Sequence, residues 1–149
     1  MKVKHFLYCP FTGLGLYNGY RGSRWLKNRI QIFKQFVIPS LQAQTKKNFT
    51  LWVSWRPQER DNKQVQELRR WLMDTNIDFV FTYNGVCFYD DKYPDAEAKE
   101  RLITSLHGSM DTLVNEVGDV DNVIVTLQPS DDIYINDAVI THKYILSRS

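Results

Sequence analysis

Four short runs rich in β-branched and aromatic residues, set apart by stretches of helical period, leave this chain very few folds to adopt. Lys4–Cys9, Phe49–Trp55, Ile77–Thr82 and Val123–Leu127 read as strands. Between the first two, Trp25, Leu26, Ile30, Phe33, Phe36, Val37 and Leu41 recur at i, i+3, i+4 spacing, one apolar face of a helix from Arg24 to about Gln44. Ser23 stands where an N-cap is expected, and Pro39 predicts a kink or break near Ile38. A second helix, from about Asn62 to Asp74, turns Val65, Leu68, Trp71 and Leu72 inward. A third, from Ala96 to about Val117, carries Leu102, Ile103, Leu106, Met110, Leu113 and Val114, and Asn136–Leu146 reads as a last helix. The order β-α-β-α-β-α-β-α implies an α/β fold with a mostly parallel central sheet, right-handed crossovers and helices on both faces.

The last strand carries the chemistry. Val123–Leu127 lies between Asp119, Asp121 and Asn122 on one side and Pro129 on the other, and its β-branched run reads as buried on both faces. Ser130, Asp131 and Asp132 follow at its carboxyl end, the edge where open α/β sheets bind ligands. Adjacent carboxylates there can hold Mg2+ or Mn2+ and, through it, a diphosphate. They also suit a turn, or the N-cap and first turn of a helix. Asp90 and Asp91 form a second acid pair, but among turn residues, and read as solvated. His107 falls on or beside the apolar face of its helix, where a packed imidazole is expected rather than a ligand or base. Gly13, Gly15, Gly19 and Gly22 lack the strand, tight turn and helix spacing of a dinucleotide fingerprint. They suit a surface loop or a loop over a ligand.

Composition narrows the class. With 149 residues, 43% of them hydrophobic, the chain has enough apolar mass for one cored domain. A net charge of +2 provides no overall field for nucleic acid or acidic membranes. No stretch approaches the ~20 apolar residues of a membrane span, and the apolar part of the N-terminus is short for a signal peptide. Cys9 and Cys87 signal neither a disulfide framework nor a zinc site. Reduced thiols and a cytoplasmic location are the expectation, with peripheral membrane association left open.

One stretch goes further than pattern. Trp25-Leu26-Lys27-Asn28-Arg29 leads through Phe33 into Ile38-Pro39-Ser40-Leu41-Gln42-Ala43-Gln44-Thr45, then Asn48-Phe49-Thr50. It resembles the start of GT-A-type glycosyltransferases, in particular the rhamnosyltransferase-like family, where such residues join the first helix to the second strand. The resemblance covers about residues 4 to 140. It implies a GT-A (Rossmann-like) nucleotide-diphospho-sugar transferase fold. The implied activity is transfer of a sugar, rhamnose among the candidates, from a nucleoside-diphosphate donor to a glycan or other carbohydrate acceptor. Asp131 and Asp132 are the implied ligands of Mg2+ or Mn2+, which would neutralise the leaving diphosphate. The donor's base and ribose are expected over the carboxyl ends of the first two strands, at Pro10, Phe11, Ser54 and Arg56, with Ser130 beside the acids. Arg24, at the start of the first helix, either reaches a phosphate or forms a surface ion pair. Trp55 either stacks on a base or packs in the core. No residue stands out as a general base.

The chain departs from the family pattern in two places. Where the family has an Arg-Leu-Asp-Ser-Asp-Asp order, this chain reads Leu127-Gln128-Pro129-Ser130-Asp131-Asp132, without the basic residue and the first acid. The similarity also ends soon after the acids, whereas a complete GT-A enzyme continues into an acceptor-binding half. The expectation is a single nucleotide-sugar-binding domain over residues 1–149, truncated before that half or completed by a partner chain. The alternative is a non-catalytic GT-A-like interaction module.

Overall fold

Four parallel strands at the centre of the molecule carry alternate side chains to two different layers. The structure is a computed structural model that describes residues 2–12, 14–15, 22–46, 48–87 and 98–128. Its elements are β1 (Val3–Pro10), β2 (Leu14–Gly15), α1 (Ser23–Ile32), a π-helical turn (Phe33–Val37), α2 (Ile38–Gln42) and β3 (Thr50–Ser54). Then come a 3-10 turn (Pro57–Asp61), α3 (Lys63–Met73), β4 (Phe79–Thr82), β5 (Val86–Cys87), α4 (Ala98–Val117) and β6 (Asn122–Leu127). The main sheet has the order β4-β3-β1-β6, every pair parallel. The α/β reading and all four sequence-read strands are therefore met. A separate two-stranded ladder pairs β2 with β5, in a loop region read as irregular.

Strand alternation distributes the core. Leu7 and Cys9 of β1, Leu51 and Val53 of β3, and Phe81 of β4 face α1, α2 and α3, where Leu26, Ile30, Phe33, Leu41, Val65, Leu68 and Leu72 meet them. Phe6, Tyr8 and Trp52 face the other way and pack on Leu113 of α4, with Val80 and Val117 beside them. Helices thus cover both faces of the sheet. Cys9 is a free thiol in the first of these layers.

Several local expectations are corrected. Ser23 does not cap α1: it is the first helical residue, and Gly22 occupies the cap position at φ +100°, with its carbonyl accepting from Leu26 N at 3.2 Å. That φ is open to glycine and costly to other residues. Pro39 does not end the helix. A π-helical turn directly precedes it, closed by the Ile38 N–H to Phe33 carbonyl bond. A widened turn absorbs the misfit of a residue that has no N–H and crowds the carbonyl four positions back. The extra residue shifts the helical phase, so Val37 and Ile38 both face the core while Phe36, read as apolar-face, is 57% exposed. In α3, Val65, Leu68 and Leu72 are buried, and Trp71 packs half-buried against them.

The strand read as buried on both faces is not. In β6, Ile124 is buried, whereas Val123, Val125 and Leu127 are 39%, 46% and 57% exposed. β1 is its one pairing neighbour among the described residues, so it behaves as an edge strand with one covered face. On α4, Leu113 is buried, but Ile103 and His107 are exposed, so the packed reading of His107 does not hold. The side chains of Leu102, Leu106, Met110 and Val114 lie outside the described residues. So do Asp90, Asp91, Ser130, Asp131, Asp132 and the segment read as a last helix.

Candidate functional site at the carboxyl edge of the sheet

Because every strand of the main sheet is parallel, all four carboxyl ends emerge on one side. The register aligns Pro10 with Ser54 and Ser54 with Thr82, which puts the first three strand ends on one level. Tyr8 aligns with Leu127, and Gln128 N donates to the Tyr8 carbonyl at 2.7 Å, so β6 reaches the same edge. Backbone bonds continue past the strands. Phe11 N donates to the Ser54 carbonyl at 3.0 Å, Trp55 N to the Thr82 carbonyl at 2.9 Å, and Gly85 N to the Trp55 carbonyl at 2.8 Å. These bonds tie the described strand ends to one another just past the sheet.

Five of the sequence-read donor residues are described, and four of them, Pro10, Phe11, Ser54 and Arg56, stand at these strand ends. Pro10 ends β1 and is half-buried. Phe11 is 5% exposed and stacks on Trp55 with ring centroids 4.6 Å apart. Trp55 is fully buried, so it packs in the core rather than presenting a face to a base. Ser54 is fully buried on the α4 face of β3. Arg24 is exposed in the first turn of α1, the helix that follows the β1 end of the shelf. Arg56 follows β3 with its side chain 16% exposed.

Arg56 belongs to a cluster that sequence reading missed. Its guanidinium donates to Glu59 through Nη2 to Oε1 at 2.7 Å and through Nε to Oε2 at 3.3 Å. Glu59 is 2% exposed. The Thr12 hydroxyl donates to Glu59 Oε2 at 3.2 Å and accepts from Arg56 N at 3.0 Å. Two side chains from the β3 end and one from the β1 end thus close on each other, in the two-pronged geometry that fixes an arginine best. The 3-10 turn makes this possible, since Glu59 N donates to the Arg56 carbonyl and brings the i, i+3 pair onto one side. An Arg-x-x-Glu spacing directly after a strand was the available signal. It looks like many surface pairs, and only the burial of Glu59 sets it apart.

On the α4 side of the shelf several polar groups are buried. Trp52 Nε1 donates to Thr82 Oγ1 at 2.8 Å, and both residues are buried. Burial pushes the Tyr8 phenol above its ordinary value of 10.0, opposed by the neighbouring Ser54 hydroxyl and reinforced by Cys9. Ser54 Oγ lies near Tyr8 but has no bond of good geometry, and Trp55 Nε1 has no partner, among the described residues. Such buried groups cost free energy unless something satisfies them. Gln128 is likewise fully buried where β6 ends.

A groove of about 630 Å3 lies farther out, along the edge of β4, lined by Arg60, Arg69, Phe79 and Tyr83 among others. Neither Pro10 nor Ser54 lines it. Among the described residues no group of three metal-ligating side chains comes together. No helix among them is long and apolar enough to cross a membrane.

The model of a family described as "Putative rhamnosyl transferase" matches residues 20–98, from before α1 to the start of α4. No curated protein and no solved structure matches the chain.

Proposed function

The chain belongs to this rhamnosyl transferase family, and on that premise we propose that it is a GT-A-type glycosyltransferase domain. Its donor is a nucleoside-diphosphate sugar, with rhamnose the sugar the family description suggests, and its acceptor a carbohydrate. The observation that carries the reading is the level carboxyl edge formed by Pro10, Ser54 and Thr82, with β6 delivering the chain to the same edge at Gln128. Open parallel sheets bind ligands in that position.

The residues divide the work by exposure. Phe11, Trp55 and Ser54 are buried and shape the floor under the donor's base and ribose. Pro10 and the partly exposed Arg56 form its surface. Glu59 and Thr12 are positioning residues that hold the Arg56 guanidinium at one angle. Arg24 offers a cation to the diphosphate from the first turn of α1. Asp131 and Asp132 follow Gln128 by three and four residues and would hold Mg2+ or Mn2+, with Ser130 beside them on the donor. An all-oxygen donor pair suits such hard cations. The metal, when bound, would supply charge neutralisation of the departing nucleoside diphosphate.

Calorimetry with Mn2+ and a panel of nucleoside diphosphates tests the reading on wild type and Asp131→Ala. Metal-dependent heat with one nucleotide, absent in the variant, is the expected outcome. No heat with any nucleotide would sink it and leave a non-catalytic module.

A further inference from the structure

Among the described residues the main sheet ends at β4, whose one pairing neighbour is β3. Asp78 and Thr82 turn their carbonyls toward β3, where Leu51 N and Trp55 N donate at 2.8 and 2.9 Å. Strand alternation therefore turns the N–H and carbonyl of Phe79 and Phe81 outward. Such edges are commonly guarded by charged residues or proline, and Phe79–Thr82 contains neither. The groove of about 630 Å3 runs along this edge. Phe79, Val80 and Phe81 border it in succession, which side chains of one face cannot do, so the strand backbone forms part of its wall. Gln66, Arg69 and Met73, three and four residues apart, add one stripe of α3. At the carboxyl end the Arg60 guanidinium lies 4.8 Å from the centre of the Tyr83 ring. Gln66 Nε2 ties the two together, donating to the Arg60 carbonyl at 2.6 Å and to the Tyr83 hydroxyl at 3.3 Å. Arg60 and Arg69 are both exposed. Among the described residues no carboxylate lines the groove, and Asp61, Glu67, Asp74 and Asp78, the nearest acids in sequence, lie off it.

We propose that the outer edge of β4 takes an extended, acidic segment of a partner protein as an added strand. The segment's main chain bonds to the outward groups of Phe79 and Phe81. Carboxylates on one face of it meet Arg60 and Arg69, and its other face lies beside Val80. A guanidinium stacked on a ring by its face keeps its N–H edge for a carboxylate. A second copy of this chain brings the same two arginines to the edge and is repelled. A carbohydrate makes no use of a strand backbone, and Arg60 already covers a face of the Tyr83 ring on which a sugar would stack. Tyr83 follows the strand end that aligns with Ser54, so the segment lies beside the carboxyl edge of the sheet. This docking needs neither donor nor metal.

The test is fluorescence anisotropy of a short labelled peptide of alternating valine and glutamate, titrated with the full chain. Saturable binding is expected. The same peptide with lysine in place of glutamate should bind about tenfold more weakly or worse. Its fully N-methylated form keeps the charges but has no main-chain donors, and should not bind. Arg60→Glu and Arg69→Glu should each weaken binding about tenfold. Lys27→Glu makes the same charge reversal on α1, away from the groove, and should change nothing. Circular dichroism confirms that each variant is folded. Nucleotide and metal are absent from the titration, so its outcome is independent of the donor-site calorimetry. The proposal fails if the folded wild type does not bind the glutamate peptide, or if the N-methylated peptide or the Arg69→Glu chain binds as well as its parent. Binding of oligogalacturonate, with indifference to N-methylation of the peptide, would assign the groove to acidic carbohydrate and overturn it. A dimer in sedimentation that the peptide cannot dissociate would assign the edge to a second copy and overturn it too.

Discussion

Replacing Glu59 by alanine removes the carboxylate that accepts from the Arg56 guanidinium and the Thr12 hydroxyl. Glu59 is 2% exposed and accepts two bonds from Arg56 and one from Thr12. Without it, a guanidinium whose side chain is 16% exposed loses its counter-ion. Breaking a fully buried pair costs about 3–5 kcal/mol. Arg56 can still turn part of its side chain to water, so the cost here is about 2–3 kcal/mol once that screening is allowed for. For a chain of this size that lowers the thermal midpoint by roughly 4–12 °C. Urea unfolding followed by tryptophan fluorescence measures it, with the slope checked for constancy so that the midpoint shift is a stability change. The double variant Arg56→Met with Glu59→Leu should recover most of the loss, because a pair replaced by apolar groups leaves no buried charge behind. A cost below about 1 kcal/mol for Glu59→Ala, the range of solvent-exposed pairs, would refute the reasoning. So would a double variant no more stable than the single one.

Three further outcomes follow from the geometry. Asn62→Ala removes the cap of α3, whose Oδ1 accepts from Gln64 N at 2.9 Å and Val65 N at 3.3 Å, and should cost about 1 kcal/mol by chemical denaturation. The Tyr8 phenol is raised above 10.0 in the folded state, so its contribution is intact below pH 10 and is lost as pH climbs through the higher folded value. Alkaline melting curves should therefore fall more steeply for wild type than for Tyr8→Phe, and parallel curves would contradict the burial of that hydroxyl. Leu113→Ala opens a cavity beneath Phe6, Tyr8 and Trp52 and should cost about 2–5 kcal/mol by the same denaturation.

The strands were legible because their period is local. Lys4–Cys9 and Val123–Leu127 announce themselves within six residues, and their crossovers follow from right-handed connection rules. Asn62 was legible as the start of a helix for the same reason. What period cannot show is which strand ends the sheet. β6 has the composition of a central strand, and its place beside β1 alone among the described residues is decided by topology. Pro39 announced a disturbance but not its form. Whether the helix breaks or widens depends on which of the neighbouring side chains the core accepts, and here Val37 and Ile38 are both accepted. The Thr12, Arg56 and Glu59 cluster joins residues 47 positions apart, and nothing at Thr12 hints at its partner. The family was legible in Trp25–Thr50 because the spacing between helix and strand is a specific one, and the matched span contains it.

Glycosyl donor binding is best tested by the thermal midpoint of the full chain with Mn2+ and each of several nucleoside diphosphates, wild type beside Asp131→Ala. A ligand that binds only the native state stabilises it by ~2.7 kcal/mol at a hundredfold excess over its dissociation constant. The prediction is a rise with one nucleotide that requires Mn2+ and disappears in Asp131→Ala, whose midpoint without ligand stays at the wild-type value. No rise with any nucleotide, or a rise that Asp131→Ala leaves intact, would contradict a metal-dependent donor site at the carboxyl edge of this sheet.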